Sequence, residues 1–142
     1  MSEKKLIGAK ERIHFPKLGK KNIIARIDSG ARSCSIHCHN HWVEKIDGKK
    51  VLCAQLHQKP SRVTRFEHFS RKKVKSSNGI TQNRYVVRLL FTIGDQKFNI
   101  DFTLSNRSKM TYPVLLGRNF LKHNFIVDVA FTYLLSAKKQ NK

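Results

Sequence analysis

Apolar and polar positions alternate with a period of two over most of the chain, which is the signature of half-buried strands rather than helices. Phe98, Ile100, Phe102 and Leu104 alternate with Lys97, Asn99, Asp101 and Thr103, giving one dry and one wet face. Tyr85, Val87, Leu89, Phe91 and Ile93 repeat the pattern just upstream. Gly94-Asp95 lies between the two runs and predicts a hairpin turn, because glycine reaches the positive φ that tight turns demand. Asp47-Gly48 predicts the same between strands at 42–46 and 50–56. Further strands are expected at 12–15, 21–28, 33–38, 62–69 and 125–129, with a last short one at 133–136. One short helix is predicted at 118–123, turning Phe120 and Leu121 inward after Leu115-Leu116-Gly117. Residues 1–10 and 137–142 are expected to be flexible tails. Many short strands with frequent turn signals predict an all-β sandwich or small barrel. No repeat or linker interrupts the pattern, so residues 1–142 are expected to form a single domain.

Composition adds a neighbourhood. At 39% hydrophobic residues over 142 positions the chain can bury a core. No apolar run reaches the length of a membrane span, and Met1-Ser2-Glu3-Lys4-Lys5-Leu6-Ile7-Gly8 lacks the apolar block of a secretory leader. The three cysteines, an odd number, suit reduced thiols in a cytoplasmic protein better than a disulfide framework. Charge is the largest deviation: 29 Lys and Arg against 9 Asp and Glu, a formal +20. Such a field favours anionic partners, an acidic peptide or nucleic acid among them. The cations run along the whole chain, with one cluster at Arg71-Lys72-Lys73-Val74-Lys75. A solvated basic surface explains them equally well, and no aromatic RNA-binding motif accompanies them.

Candidate chemistry begins at Ile23-Ile24-Ala25-Arg26-Ile27-Asp28-Ser29-Gly30-Ala31. An apolar strand ends here in a carboxylate, a hydroxyl and a glycine. Gly30 lets backbone N–H groups approach the Asp28 oxygens, and the Ser29 hydroxyl is free to hydrogen-bond to a neighbouring chain. Alone, Asp-Ser-Gly is also a common Asx turn.

Context makes it specific. The stretch resembles the Asp-Thr/Ser-Gly-Ala signature of aspartic proteases. Val114-Leu115-Leu116-Gly117-Arg118-Asn119-Phe120-Leu121 resembles the second retropepsin hallmark, in the right order. Three segments resemble a bacterial retropepsin-like family of the RimB type, which also carries the label ATP-dependent zinc protease. They are Asp28 to Ser33 with His37; Val74-Lys75-Ser76-Ser77-Asn78-Gly79 with Asn83-Arg84-Tyr85-Val86; and Met110 with Leu115-Leu116-Gly117-Arg118. The resemblance implies a small closed retropepsin-like barrel with one short C-terminal helix. It also implies an association with enzymes that add glutamates to a ribosomal protein tail. Asp28, Ser29 and Gly30 are then the catalytic candidates. Ala31, Arg32, Ser76, Ser77, Asn78 and Gly79 are the substrate-binding candidates, with residues 66–84 as a covering flap or an ordinary sheet element.

Other parts of the family label find no motif. There is no Gly-Lys-Ser/Thr phosphate loop and no His-Glu-x-x-His helix, so neither ATP nor zinc is expected as a cofactor. Cys34, His37, Cys38, His39 and His41 are the residues dense enough to hold a metal. On a strand, His37, His39 and His41 would face away from Cys34, Ile36 and Cys38, which reads the cysteines as core. In retropepsins the residue matching Arg118 pairs with an acid just after the signature. Arg32 stands there instead, so that pair is lost or rerouted.

Aspartic-protease chemistry needs two carboxylates sharing a proton. Asp47, Asp95, Asp101 and Asp128 lack the motif, so the second must be the Asp28 of another copy, which predicts a homodimer. Charge and resemblance together point to acidic peptide tails as substrate. A non-catalytic binding module on the same scaffold, for ribosomal RNA or an acidic partner, and a zinc-dependent hydrolase stay open beside it.

Overall fold

The alternating runs become strands in the computed structural model, which describes residues 3–57, 59, 62–75 and 78–136. In chain order these are β1 (Lys5–Ile7), β2 (Lys10–Phe15), β3 (Lys20–Ile27), β4 (Cys34–His37), β5 (His41–Ile46), β6 (Lys49–Ala54) and β7 (Thr64–Phe66). They continue with β8 (Ser70–Lys75), β9 (Thr81–Ile93), β10 (Gln96–Ser105), β11 (Val114–Leu116) and β12 (Phe125–Val127). The helix α1 (Arg118–Asn124) sits between β11 and β12. No helix among the described residues is long and apolar enough to cross a membrane.

Six strands close on themselves in the order β10-β4-β11-β3-β2-β9, with β9 pairing back onto β10. This is the closed retropepsin-like barrel. Strand β8 extends the sheet from the outer side of β9, β5-β6-β7 make a separate antiparallel sheet, and β1 and β12 pair in parallel. The two turn predictions hold: Gly94 has φ 60°, and Asp47 and Gly48 have φ 53° and 80°, the primed-turn geometry that matches strand twist.

Inside the barrel the predicted dry faces meet. Val87, Leu89, Phe91 and Ile93 of β9 are buried with Phe102 and Leu104 of β10, Ile13 and Phe15 of β2, and Val114 and Leu116 of β11. A train of rings binds the helix to this core: Phe91, Phe98 and Phe125 lie 5.4, 4.9 and 5.2 Å from Phe120, centroid to centroid. Edge and tilted aromatic contacts of this kind add about 0.5–1.5 kcal/mol each beyond area burial.

Several expectations need correction. Residues 5–10 are not a flexible tail: β1 pairs with β12, and Ile7 is fully buried. The strand expected at 133–136 is absent, because Tyr133 takes a left-handed φ of 57° and the segment turns. Its anchor is Glu11, one of the most buried residues in the fold. Oε2 accepts from the N–H groups of Gly8 and Leu135, and Oε1 from the N–H and hydroxyl of Ser136. The strand expected at 62–69 shrinks to β7, and β9 starts at Thr81, extending the run beyond its apolar part. That extension pairs with β8, Lys75 opposite Thr81 and Ser70 opposite Val86, so β8 and the start of β9 form a hairpin. The expected tail at 137–142 lies outside the described residues.

Candidate active site

Strand β3 delivers Asp28 to the site, and β11 holds it there. Val114–Leu116 inserts between β3 and β4, parallel to the first and antiparallel to the second. The Asp28 N–H donates to Leu116 O at 2.9 Å, carrying the ladder one residue past the strand end. The chain then turns sharply, with Ala31 N–H donating to Asp28 O and Gly30 N–H donating to Asp28 Oδ1 at 2.9 Å. The expected N–H approach to the carboxylate is therefore present.

The second motif clamps this turn. Arg118 and Asn119 donate their N–H groups to Ala31 O and Arg32 O at 2.7 and 2.9 Å. Arg118 Nη1 donates to Ser29 O at 3.0 Å. With Arg32 where retropepsins carry an acid, Arg118 is rerouted to a backbone carbonyl of the Asp-Ser-Gly loop. Gly117 is required here by space: a Cβ would lie 2.6 Å from Ser33 O and 2.7 Å from Ala31 O. The two sequence motifs are one structural unit, built from loops about 90 residues apart.

Asp28 opens into a cleft of about 700 Å³. It is the lone carboxylate among the described lining residues, facing Arg32, Lys72, Lys73, Lys75, Arg84, Arg107 and Arg118. The β8–β9 hairpin contributes four of these cations. Arg107 is held by its own Nε, which donates to Tyr112 O, and by its N–H, which donates to His37 Nδ1. Burial and then the Arg84 charge pull the Arg107 guanidinium below its ordinary range, while Asp28 opposes them. Lys72 donates to the Ser33 hydroxyl at 2.8 Å beside the Asp28 turn. Cys34 lies beneath the site, its thiol pushed up to about 11 mainly by burial, which keeps it protonated and unreactive.

Of the candidates, Asp28, Gly30, Ala31 and Arg32 line the cleft, and exposed Ser29 joins them through Arg118. Asn78 and Gly79 do not line it; they form the exposed tip of the hairpin, Gly79 with φ 86°. Ser76 and Ser77 lie outside the described residues. Sequence reading missed Arg107 and Thr103, whose neighbours in the chain carry no motif. The Arg71–Lys75 cluster and Arg84 were visible as charge and as part of a motif, without their shared destination.

The metal candidates do not converge. Strand β4 ends at His37, whose ring packs against His39 at 4.4 Å, while His41 starts β5 and packs against Tyr85 at 5.2 Å. Cys34 and Cys38 are buried, as core residues. Among the described residues no three His, Cys, Asp or Glu side chains are placed to hold a metal ion. The donor set thus does not fit the zinc of the family label.

A small closed barrel presenting one Asp-Ser-Gly loop, clamped by an apolar-apolar-Gly-Arg segment, defines a retropepsin-like protein. The chain belongs to the RimB-like family of retropepsin-like aspartic endopeptidases, whose model matches residues 6–138. A protein of Shewanella pealeana named probable alpha-L-glutamate ligase is 38% identical over 144 residues, covering 97% of this chain and 31% of its own length. One of the same name from Desulfotalea psychrophila is 34% identical over 134 residues, covering 89% of this chain and 28% of the relative. The chain spans about a third of the length of these curated relatives. A crystal structure of a Legionella pneumophila protein of unknown function is similar with a TM-score of 0.73 at 28% identity, covering 92% of this chain and 98% of that one.

Proposed function

We propose that the protein is an aspartic-type peptidase that acts as a homodimer on acidic peptide tails, with chains of glutamate as the substrate class. The observation that carries the reading is a single Asp28 carboxylate set in a cleft whose other charged lining residues are all cations. An extended polyanion is attracted to such a cleft, and neutral peptides are not. The relatives named alpha-L-glutamate ligase support glutamate in particular: a domain matched within a glutamate-joining enzyme is well placed to trim what that enzyme builds.

The mechanism follows from the chemistry of paired carboxylates. Two Asp28 groups meeting across a two-fold axis share one proton, because like charges so close do not both ionise. The ionised one takes a proton from water as its oxygen bonds to the peptide carbon. The protonated one gives its proton to the carbonyl oxygen, producing a diol. Proton transfer to the amide nitrogen and rupture of the C–N bond then release an acid and an amine, and the pair regains its single proton. Gly30 N–H steadies Oδ1 of Asp28, and Arg118 steadies the loop through Ser29 O.

The experiment is hydrolysis of a glutamate-tailed peptide by wild type and Asp28→Asn, read by mass spectrometry, with sedimentation to follow the dimer. Loss of cleavage with an unchanged melting temperature is expected. Cleavage surviving in Asp28→Asn, or in a strictly monomeric sample, sinks the reading. A second reading, binding of an acidic chain without cutting it, is favoured by the same cations; tight binding by wild type with no cleavage would select it.

A further inference from the structure

A second cavity, of about 500 Å³, opens at the beginning of β3 and shares no lining residue with the Asp28 cleft. Its floor is apolar, made by Ile23, Ile36, Leu56 and Val114. Lys20, His57 and Arg62 stand over that floor, and among the described residues no carboxylate lines the cavity. The two cations, Lys20 and Arg62, bear on each other and on His57. The Lys20 ammonium, whose Nζ donates to Leu56 O at 3.0 Å, is pulled below its ordinary range by burial and then by the Arg62 charge. The His57 imidazole is lowered by burial, against its bond to Leu18 O, and further by Lys20 and Arg62.

His57 holds an unused polar atom. Its Nε2 lies 2.8 Å from Leu18 O, which fixes the hydrogen on that nitrogen. Its Nδ1 is buried with no hydrogen-bond partner among the described residues. A buried polar atom left unpaired is costly, so native folds rarely keep one without a reason. An anion lodged between the three groups, with the side chains that cover Nδ1 moved aside to admit it, removes both defects. It offsets their mutual repulsion, and it raises the proton affinity of His57 so that Nδ1–H becomes a donor to it. The apolar floor selects against a bare, fully hydrated ion and for one that carries hydrocarbon.

We propose that this cavity binds a small aliphatic carboxylate, its carbon chain on Ile23, Ile36, Leu56 and Val114 and its oxygens between Lys20, Arg62 and Nδ1 of His57. Binding takes up one proton from solvent, onto His57 Nδ1. The other titratable and charged groups facing the cavity are His37 and Lys59. His37 is not the group protonated, because its Nδ1 already accepts the Arg107 N–H at 2.8 Å. The site is independent of catalysis at Asp28 and stands or falls without it.

The test is a titration of the full chain, carrying labelled histidine rings and Ile and Val methyls, with pentanoate and separately with inorganic phosphate at constant ionic strength. With pentanoate, the His57 ring and the methyls of Ile23, Ile36 and Val114 should shift to saturation, and the His57 titration midpoint should move upward. Phosphate should bind about tenfold more weakly or worse. Arg62 is exposed, so Arg62→Gln should fold normally and weaken pentanoate at least about tenfold. His57→Gln should abolish proton uptake, measured by calorimetry in two buffers of different ionisation enthalpy. Lys73→Gln with Arg84→Gln, in the Asp28 cleft, should leave the His57 response intact. Shifts confined to the Asp28 cleft, a His57 ring unmoved at saturation, or an equal response to phosphate would each overturn the proposal.

Discussion

Replacing Glu11 with alanine should be among the most destabilising single changes available outside the aromatic core. The side chain is fully buried, and its two oxygens accept four hydrogen bonds, three of them from backbone N–H groups at Gly8, Leu135 and Ser136. Each buried donor left without a partner costs about 1–3 kcal/mol, and the methyl of alanine replaces none of them. Removing a buried charge returns part of its desolvation cost, which trims the sum. The net expectation is a loss of about 3–5 kcal/mol. At about 3 °C per kcal/mol for a chain of this size, the melting temperature should fall by about 9–15 °C. Glu11→Gln gives a finer test. With its NH₂ placed at the Oε1 position, the Ser136 N–H is orphaned, and the Ser136 hydroxyl, which already accepts the Arg12 N–H, loses the acceptor for its own hydrogen. That variant should lose about 2 kcal/mol, or about 6 °C. Urea and thermal unfolding of the two variants beside wild type decide the matter. A Glu11→Ala change within about 0.5 kcal/mol of wild type, the range of an ordinary surface substitution, would refute the anchoring role of this carboxylate.

Three further outcomes follow from the geometry. Gly117→Ala places a methyl 2.6 Å from Ser33 O; it should shift the Asp28 loop, lower stability by about 1–3 kcal/mol, and abolish cleavage while the Glu11 anchor stays intact by hydrogen exchange. His37 is lowered chiefly by burial and accepts the Arg107 N–H through Nδ1. The unfolded chain thus binds the proton first, so the contribution of His37 is present above the ordinary histidine value and is lost as pH falls through its lowered one. His37→Gln, which keeps an acceptor, should flatten this part of the stability–pH curve below about pH 6.5; an unchanged slope contradicts the assignment. Neutralising Lys73 and Arg84 should raise KM for a glutamate-tailed peptide and weaken its dependence on salt, with kcat less affected; an unaltered KM would mean that the cleft cations do not engage the substrate.

Much of the site was legible before the fold. Asp28, Gly30 and Gly117 stand in short motifs because a carboxylate in a tight turn and a backbone touching backbone each demand particular residues at adjacent positions. Glu11 was within reach, since it shares the alternation of buried Ile13 and Phe15, but a strand begun one residue later hid it. Asn78 and Gly79 were legible as a turn, without their place relative to the cleft. Their motif reflects a turn at the hairpin tip, where Gly79 takes positive φ, and the residues that line the cleft lie on the hairpin arms.

By itself the sequence determined most of the strands (β2–β6, β9, β10 and β12), the two tight turns, the inward helix face and the family, because these depend on periodicity and on short-range backbone chemistry. It also determined that one chain carries only one Asp-Ser-Gly. Only the tertiary structure decided which of 29 cations face Asp28, since charge on a strand is silent about what lies across the barrel. It likewise decided that Arg118 serves the Ser29 carbonyl, that Glu11 ties residue 8 to residues 135 and 136, and that Lys20, His57 and Arg62 meet over an apolar floor. Each of these joins segments far apart in the chain, and closure of the barrel is what brings them together.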